Sequence, residues 1–66
     1  MFNNLRKTLA EKDISIKKYA EFLGVGEKTV QNKLNGVTEF TLAEVLKTSN
    51  FLLPQYKISY LFKREF

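Results

Sequence analysis

The chain has no cysteine and no histidine among its 66 residues. Without cysteine, it forms no disulfide and offers no thiolate ligand to a metal ion. Without histidine, it lacks the commonest metal ligand and the commonest general base. A chain this short also has little room for a deep substrate pocket. We therefore expect no metal, no cofactor, no small-molecule substrate and no enzymatic activity, and a fold held by helix packing, with or without a partner subunit.

Long apolar runs are also lacking. No stretch approaches the roughly 20 apolar residues that a helix needs to span a bilayer. Arg6 and Lys7 place charges within the first nine residues, which do not resemble a signal peptide. We expect a soluble, cytoplasmic protein that makes no contact with a membrane.

What is present is a basic and moderately apolar composition. Hydrophobic residues make up 44% of the chain, enough for one compact core, and 66 residues hold a single domain. The net charge is +4. Positions 1–36 hold seven basic and four acidic residues, whereas positions 37–66 hold four basic and three acidic residues. The excess in the first part is typical of a protein with a polyanionic partner, although a moderately basic solvated surface accounts for it equally well.

Apolar residues recur at helical spacing and predict five helices and no strand, an all-α orthogonal bundle. The first helix runs from Asn3 or Asn4, either of which is a candidate cap, to Lys12. The second runs from Ile16 to Leu23 behind Ser15 as its cap, and the third from Glu27 to about Asn35, with Gly24 and Gly36 as their stops.

The second half of the chain predicts two further helices. Thr41 and Glu44 form a T-x-x-E capping box that begins the fourth helix, which frays near Asn50. Its expected buried stripe is Leu42, Val45 and Leu46. Pro54 opens a new turn or helix, and a short fifth helix is expected around Ile58, Leu61 and Phe62. Four aromatic residues are expected in the core rather than as stacking platforms for bases: Tyr19, Phe22, Phe40 and Phe51.

The informative stretch is 15–36, where two short helices flank a tight glycine-containing turn, as in a helix-turn-helix. Ala20 is small enough for the contact between the helices, and Gly24 tolerates the positive φ that the turn requires. Val30 and Leu34 can anchor the third helix from behind. Its front then carries one polar stripe: Lys28, Gln31, Asn32 and Asn35. Such side chains can hydrogen-bond base edges in the major groove, and we prefer this interpretation to that of a merely solvated face.

The run from Tyr19 to Val30 (YAEFLGVGEKTV), followed by Asn35-Gly36, resembles the lambda-repressor-like family of helix-turn-helix domains, of the Cro/repressor (XRE) type. The run NKLNG, followed by TEFTL, is similar to small phage-associated regulators of Gram-positive bacteria. The ending Tyr60-Leu61-Phe62 is similar to the aromatic-aliphatic close of the last helix in that family. The resemblance covers about residues 3–62. It implies a compact five-helix bundle whose third helix enters the major groove of a DNA operator.

The resemblance also implies roles for individual positions. Glu27, Lys28 and Asn32 are expected to meet base edges, whereas Asn35, Thr38 and the start of the second helix, from Ser15 to Lys17, meet phosphate. A helix amino terminus favours an anion independently of any family. The full set of expected DNA-binding residues is Ser15, Lys17, Glu27, Lys28, Gln31, Asn32, Lys33, Asn35 and Thr38.

Alternatives stay open at several of these positions. Lys33 departs from the family, which usually has an apolar residue there; its stem is expected to follow the core while its ammonium points at a phosphate. Glu27 either accepts from a cytosine or, as we slightly prefer, complements the helix dipole. Lys17 and Lys18 either clamp phosphates or are plain surface lysines, and the phosphate role is better supported for Lys17.

The tail, residues 56–66, holds more apolar residues than a lone terminus should expose: Ile58, Tyr60, Leu61, Phe62 and Phe66. They complete the core or contact a second subunit, and we expect a homodimer through this tail on a palindromic operator. The main hypothesis is a phage or prophage transcriptional regulator at the nucleoid. The alternative is a protein-interaction module, an antitoxin or an adaptor, with weak DNA binding.

Overall fold

Five α-helices follow one another along residues 1–65, the part of the chain that the computed structural model describes, and no strand is present there. The all-α bundle predicted from the sequence is confirmed. No helix in this part is both long and apolar enough to cross a membrane. The helices are α1 (Asn3–Glu11), α2 (Ile16–Leu23), α3 (Glu27–Leu34), α4 (Leu42–Lys47), which continues into a π-helical turn (Thr48–Leu52), and α5 (Ile58–Leu61).

The bounds of α2 and α3 follow from local end signals. The Ser15 hydroxyl accepts a hydrogen bond from the backbone N–H of Lys18 (3.1 Å), as a helix cap does. Gly24 ends α2 with φ of +77°, and Gly36 follows α3 with φ of +80°. An L-residue with a side chain rarely adopts this conformation, so both stops predicted from the sequence are confirmed.

The expected cap of α1 is wrong. Phe2 precedes the helix, and no side chain caps it. The side chains of the two asparagines instead form hydrogen bonds with the tail. Asn3 Nδ2 donates to Glu65 Oε2 (2.9 Å), and Asn4 Nδ2 donates to the backbone oxygen of Tyr60 (3.0 Å). These contacts tie α1 to α5 and the residues after it.

In α4 the predicted cap is confirmed but the predicted buried stripe is wrong. Thr41 Oγ1 accepts from the Glu44 N–H (3.1 Å), and Glu44 Oε1 accepts from the Thr41 N–H (2.8 Å), which completes the capping box. Leu42 is 73% exposed and Leu46 is 41% exposed, whereas Val45 is half-buried. The helix turns Glu44, Val45 and the following Thr48 towards the bundle, so the two leucines lie on its outer flank.

The π-helical turn explains why Phe51 is not in the core. The backbone N–H of Leu53 donates to the oxygen of Thr48 (2.9 Å), five residues earlier, so this turn holds an extra residue. Thr48 and Leu53 are both buried, and Phe51 is left 77% exposed. Its predicted core position is therefore wrong, whereas Tyr19 is fully buried and Phe22 and Phe40 pack against the core as expected.

The core contains residues from most of the chain, including part of the tail. Its buried apolar members are Phe2, Leu5, Leu9, Tyr19, Ala20, Val30, Leu34, Leu53 and Leu61. Phe62 packs edge-to-face against Phe40 and Phe2, with ring centroids 5.1 Å and 6.2 Å apart. The other tail residues that were expected to complete the core or contact a second subunit are Ile58, Tyr60 and Phe66. Ile58 and Tyr60 are each 39% exposed, and Phe66 lies outside the described residues.

Candidate nucleic-acid interface

The turn between α2 and α3 brings the two helices into direct contact. The backbone oxygen of Ala20 accepts from the N–H groups of Gly24 (2.8 Å) and Val25 (3.0 Å), which closes the end of α2 tightly. Ala20 itself is 3% exposed. A larger side chain at this position would push against the packed interior, which explains why alanine stands there.

The back of α3 is fixed in the core by two apolar side chains one helical turn apart. Val30 and Leu34 are both fully buried. In addition, the backbone oxygen of Leu34 accepts from the N–H of Phe2 (3.4 Å), which joins the end of α3 to the chain before α1. The anchoring predicted from the sequence is thus present, and it determines which side of α3 is outward.

The outward side of α3 carries the predicted polar stripe. Lys28, Gln31 and Asn35 are exposed, and Asn32 is half-buried. The backbone oxygen of Asn32 accepts from the N–H of Val37 (2.8 Å), which folds the following loop against the end of α3. The side chains of this stripe therefore face solvent on a helix whose opposite side cannot move freely.

Arg6 is a member of this region that sequence reasoning missed. Its guanidinium Nη2 donates to Oδ1 of Asn35, reaching from α1 to the residue that ends α3. Arg6 is half-buried, and this hydrogen bond places its charge beside the stripe. No local pattern could have indicated this contact, because its two partners are 29 residues apart.

The expected phosphate-facing residues lie at the surface. Ser15, Lys17, Lys18 and Thr38 are all exposed. Ser15 Oγ serves as the acceptor that caps α2, and its hydroxyl proton stays available to an anion. Glu27 is exposed in the first turn of α3, where a carboxylate complements the helix dipole.

Lys33 corrects the sequence-based expectation. Lys33 is only 7% exposed. Its Nζ lies 2.9 Å from Glu44 Oε1 and donates to the backbone oxygen of Glu39 (2.9 Å). The ammonium also lies 5.8 Å from the centre of the Phe40 ring. The stem follows the core as expected, but the charge is turned towards α4 and away from solvent. The expectation that Lys33 points at a phosphate is wrong.

The ion pair changes the titration of Glu44. Burial alone raises the pKa of this carboxyl, but the hydrogen bonds from Lys33 and from the Thr41 backbone, with the charge of Lys33, outweigh it. The pKa of Glu44 therefore lies below its ordinary value of 4.5. Glu44 stays ionised at neutral pH and holds Lys33 in its inward position.

A second buried contact joins α2 to the π-helical turn. The Tyr19 hydroxyl lies 2.8 Å from Thr48 Oγ1, which itself donates to the backbone oxygen of Glu44 (2.8 Å). Because that proton of Thr48 is used, Tyr19 is the donor of the pair. Burial raises the pKa of Tyr19 to about 12, despite the hydrogen bond with Thr48. This contact fixes α2 against the π-helical turn, and the Lys33–Glu44 pair fixes α3 against α4.

No protein-family profile, curated protein or solved structure matches the chain. The resemblance to Cro/repressor proteins therefore depends on the residues named above.

Proposed function

We propose that this protein is a sequence-specific, double-stranded DNA-binding regulator of the phage or prophage Cro/repressor type. In this proposal α3 reads the operator from the major groove. The observation that carries the proposal is the division of α3 into two sides: Val30 and Leu34 are fully buried, while Lys28, Gln31 and Asn35 face solvent.

The dimensions and chemistry of α3 suit this role. With its side chains a helix is about 10–12 Å across, so α3 fits the major groove, which is roughly 12 Å wide. Amide side chains can pair bidentately with adenine, and lysine can donate to guanine. Asparagine and glutamine do little for the stability of an exposed helix beyond what other polar residues do, so stability alone does not account for three amides on this side.

The surroundings of α3 can neutralise phosphate. The start of α2, with Ser15 and Lys17, presents free backbone N–H groups and a positive charge. Arg6 adds a guanidinium beside Asn35. With a net charge of +4, the chain is attracted to DNA as a whole, and we place it in the cytoplasm at the nucleoid.

A protein-interaction module remains the alternative function. Its binding would depend chiefly on apolar contact, whereas binding to DNA releases counterions from phosphate and weakens steeply as salt is added. We propose the DNA-binding role because the exposed side of α3 is polar and amide-rich and is flanked by basic residues.

The proposal is tested by selecting bound sequences from a pool of random duplex DNA with the full chain. We expect a single enriched motif, arranged as a palindrome if two copies bind together. The control is Lys28→Ala/Asn32→Ala, which should keep the fold and enrich no motif. A pool that stays random with the wild-type protein at low salt would refute the proposal.

A further inference from the structure

The side-chain amide at the end of α3 is engaged through its oxygen. Arg6 Nη2 donates to Oδ1 of Asn35. A guanidinium carries donors and no acceptor, so the amide atom that it contacts must be the oxygen. Within residues 1–65 the nitrogen, Nδ2, has no partner of its own, and Asn35 is exposed. Its two amide protons are therefore left for a group outside the chain.

The cation beside Oδ1 makes Asn35 different from the other amides of the stripe. To pair bidentately with adenine, the oxygen of an amide accepts from the adenine amino group while its nitrogen donates to N7. An amino group brought to Oδ1 of Asn35 would lie next to the Arg6 guanidinium, where the positive ends of two donors repel each other. Gln31 and Asn32 bond the end of α3 through their backbone oxygens, and within residues 1–65 their side-chain amides are not engaged.

The charge of Arg6 is not neutralised by an acid of its own chain. The ion pairs within residues 1–65 involve Lys33 and Arg64, not Arg6. Arg6 also lines an open groove of about 450 Å³ between α1 and the start of α2. Asp13 lines the same groove, yet it does not come within ion-pair distance of the guanidinium. Arg6 and the amide protons of Asn35 thus present donors only, and such a group is complementary to acceptors.

We propose that Arg6 is a positioning residue that holds the Asn35 amide in one orientation, so that on DNA Asn35 donates to an acceptor and does not read adenine. The step rests on the proposed function. Amide reading of adenine is then left to Gln31 and Asn32. The acceptor is a phosphate oxygen or the guanine edge, whose O6 and N7 are both acceptors.

NMR of the free protein tests the positioning without DNA. Three-bond couplings of Asn35 report its χ1 angle, and we expect a single staggered rotamer in the wild type. Arg6→Met removes the guanidinium but keeps an unbranched stem, and it should give couplings averaged over several rotamers. The matched control is Lys7→Met, which removes an equal charge from an exposed position of α1 and should keep the wild-type couplings. A single rotamer in Arg6→Met would show that Arg6 does not orient Asn35.

A cycle of variants then tests the effect on binding to the selected operator. Asn35→Ala removes the amide and should weaken binding on the order of tenfold, as expected for a lost hydrogen bond to a charged or strongly polar group. Arg6→Met should weaken binding more than Lys7→Met does. In an Asn35→Ala background this excess should disappear, because Arg6 then has no amide to orient. An excess that persists in that background would mean that Arg6 acts without Asn35, and the proposal would be wrong.

Modified bases show what Asn35 contacts, and this measurement needs no change at Arg6. Each adenine of the operator is replaced in turn by purine, which lacks the amino group, and each guanine by 7-deazaguanine, which lacks N7. A 7-deazaguanine effect that is present in the wild type and absent in Asn35→Ala identifies guanine as the acceptor. If Asn35→Ala weakens binding equally on all these duplexes, the acceptor is a phosphate, and a methylphosphonate at that linkage should abolish the difference. Both results agree with the proposal.

Two results with the wild-type chain and Asn35→Ala alone would overturn the proposal. One is a purine effect that is present in the wild type and lost in Asn35→Ala, because Asn35 would then accept from an adenine amino group. The other is an operator that both proteins bind equally well. In either case the selected operator still supports DNA binding, and only the role of Asn35 is refuted. A pool that yields no operator refutes the DNA-binding role and this proposal together.

Discussion

Lys33 Nζ lies 2.9 Å from Glu44 Oε1, and this same oxygen accepts the backbone N–H of Thr41 at 2.8 Å. A single carboxylate oxygen thus joins the second half of α3 to the first turn of α4. The side chains of Lys33 and Glu44 are only 9% and 14% exposed. The ion pair is therefore poorly screened by solvent, and it helps to determine how α3 is rotated about its own axis.

Removing one charge of this pair should cost more stability than removing both. Lys33→Met keeps the apolar stem but leaves the Glu44 carboxylate without its ammonium, and we expect a loss of about 1–3 kcal/mol. Lys33→Met/Glu44→Gln removes the stranded charge, while glutamine can still serve the capping box. We expect the double variant to recover much of the loss in urea denaturation. A double variant that is as unstable as the sum of its single variants would show that the two residues are not coupled.

The depressed pKa of Glu44 predicts a loss of stability in acid. The folded state holds Glu44 more strongly ionised than the unfolded chain, so its contribution is complete above the ordinary value of 4.5. The contribution then declines as the pH falls through the lower pKa of the folded state. Melting temperatures between pH 7 and pH 3 should therefore fall less steeply for Glu44→Gln than for the wild type. Equal slopes in the two proteins would contradict the assignment.

Helix ends in this protein were predictable because their determinants are local. Ser15 caps α2 through a residue three positions later, and Thr41 and Glu44 cap α4 at the same spacing. Gly24 needs no partner at all, since its missing side chain is enough to permit a positive φ. Such signals act within one turn of helix, and the printed sequence contains both of their members.

Phe51, Lys33 and Arg6 were not predictable because their positions depend on distant parts of the chain. The π-helical turn shifts the inward positions by one residue, and nothing in the composition of 48–52 indicates it. Lys33 finds its carboxylate on another helix, and Arg6 finds Asn35 at a distance of 29 residues. Spacing alone could identify the polar side of α3, but it could not tell that Lys33 belongs to the inner side.

The inward position of Lys33 predicts how salt affects DNA binding. The slope of binding affinity against salt concentration, on logarithmic scales, reflects the number of phosphates that the protein neutralises. Lys17→Ala should reduce the magnitude of this slope by about one, as expected for a lysine that contacts phosphate. Lys33→Met should leave the slope unchanged, because its ammonium is already paired with Glu44. A reduction with Lys33→Met and none with Lys17→Ala would reverse the assignment of these two lysines.

The outward side of α3 predicts a loss of sequence discrimination when it is truncated. Lys28 is exposed and Asn32 half-buried. The following loop is held by the backbone oxygen of Asn32, which accepts from the N–H groups of Val37 and Thr38, so alanine at either position should leave the fold intact. We expect Lys28→Ala and Asn32→Ala each to cost about 1–3 kcal/mol of discrimination between the selected operator and a version with one substituted base pair. Fluorescence anisotropy with the two duplexes measures this difference directly.

Matched controls for this measurement lie outside α3. Lys57→Ala removes another exposed lysine, and Gln55→Ala removes an exposed amide, both between α4 and α5. These variants should retain full discrimination, and all four proteins should melt at the wild-type temperature. Were Lys28→Ala and Asn32→Ala to bind both duplexes as the wild type does, α3 would not be the element that reads the bases, because its outward side chains would then be dispensable for choosing between sequences.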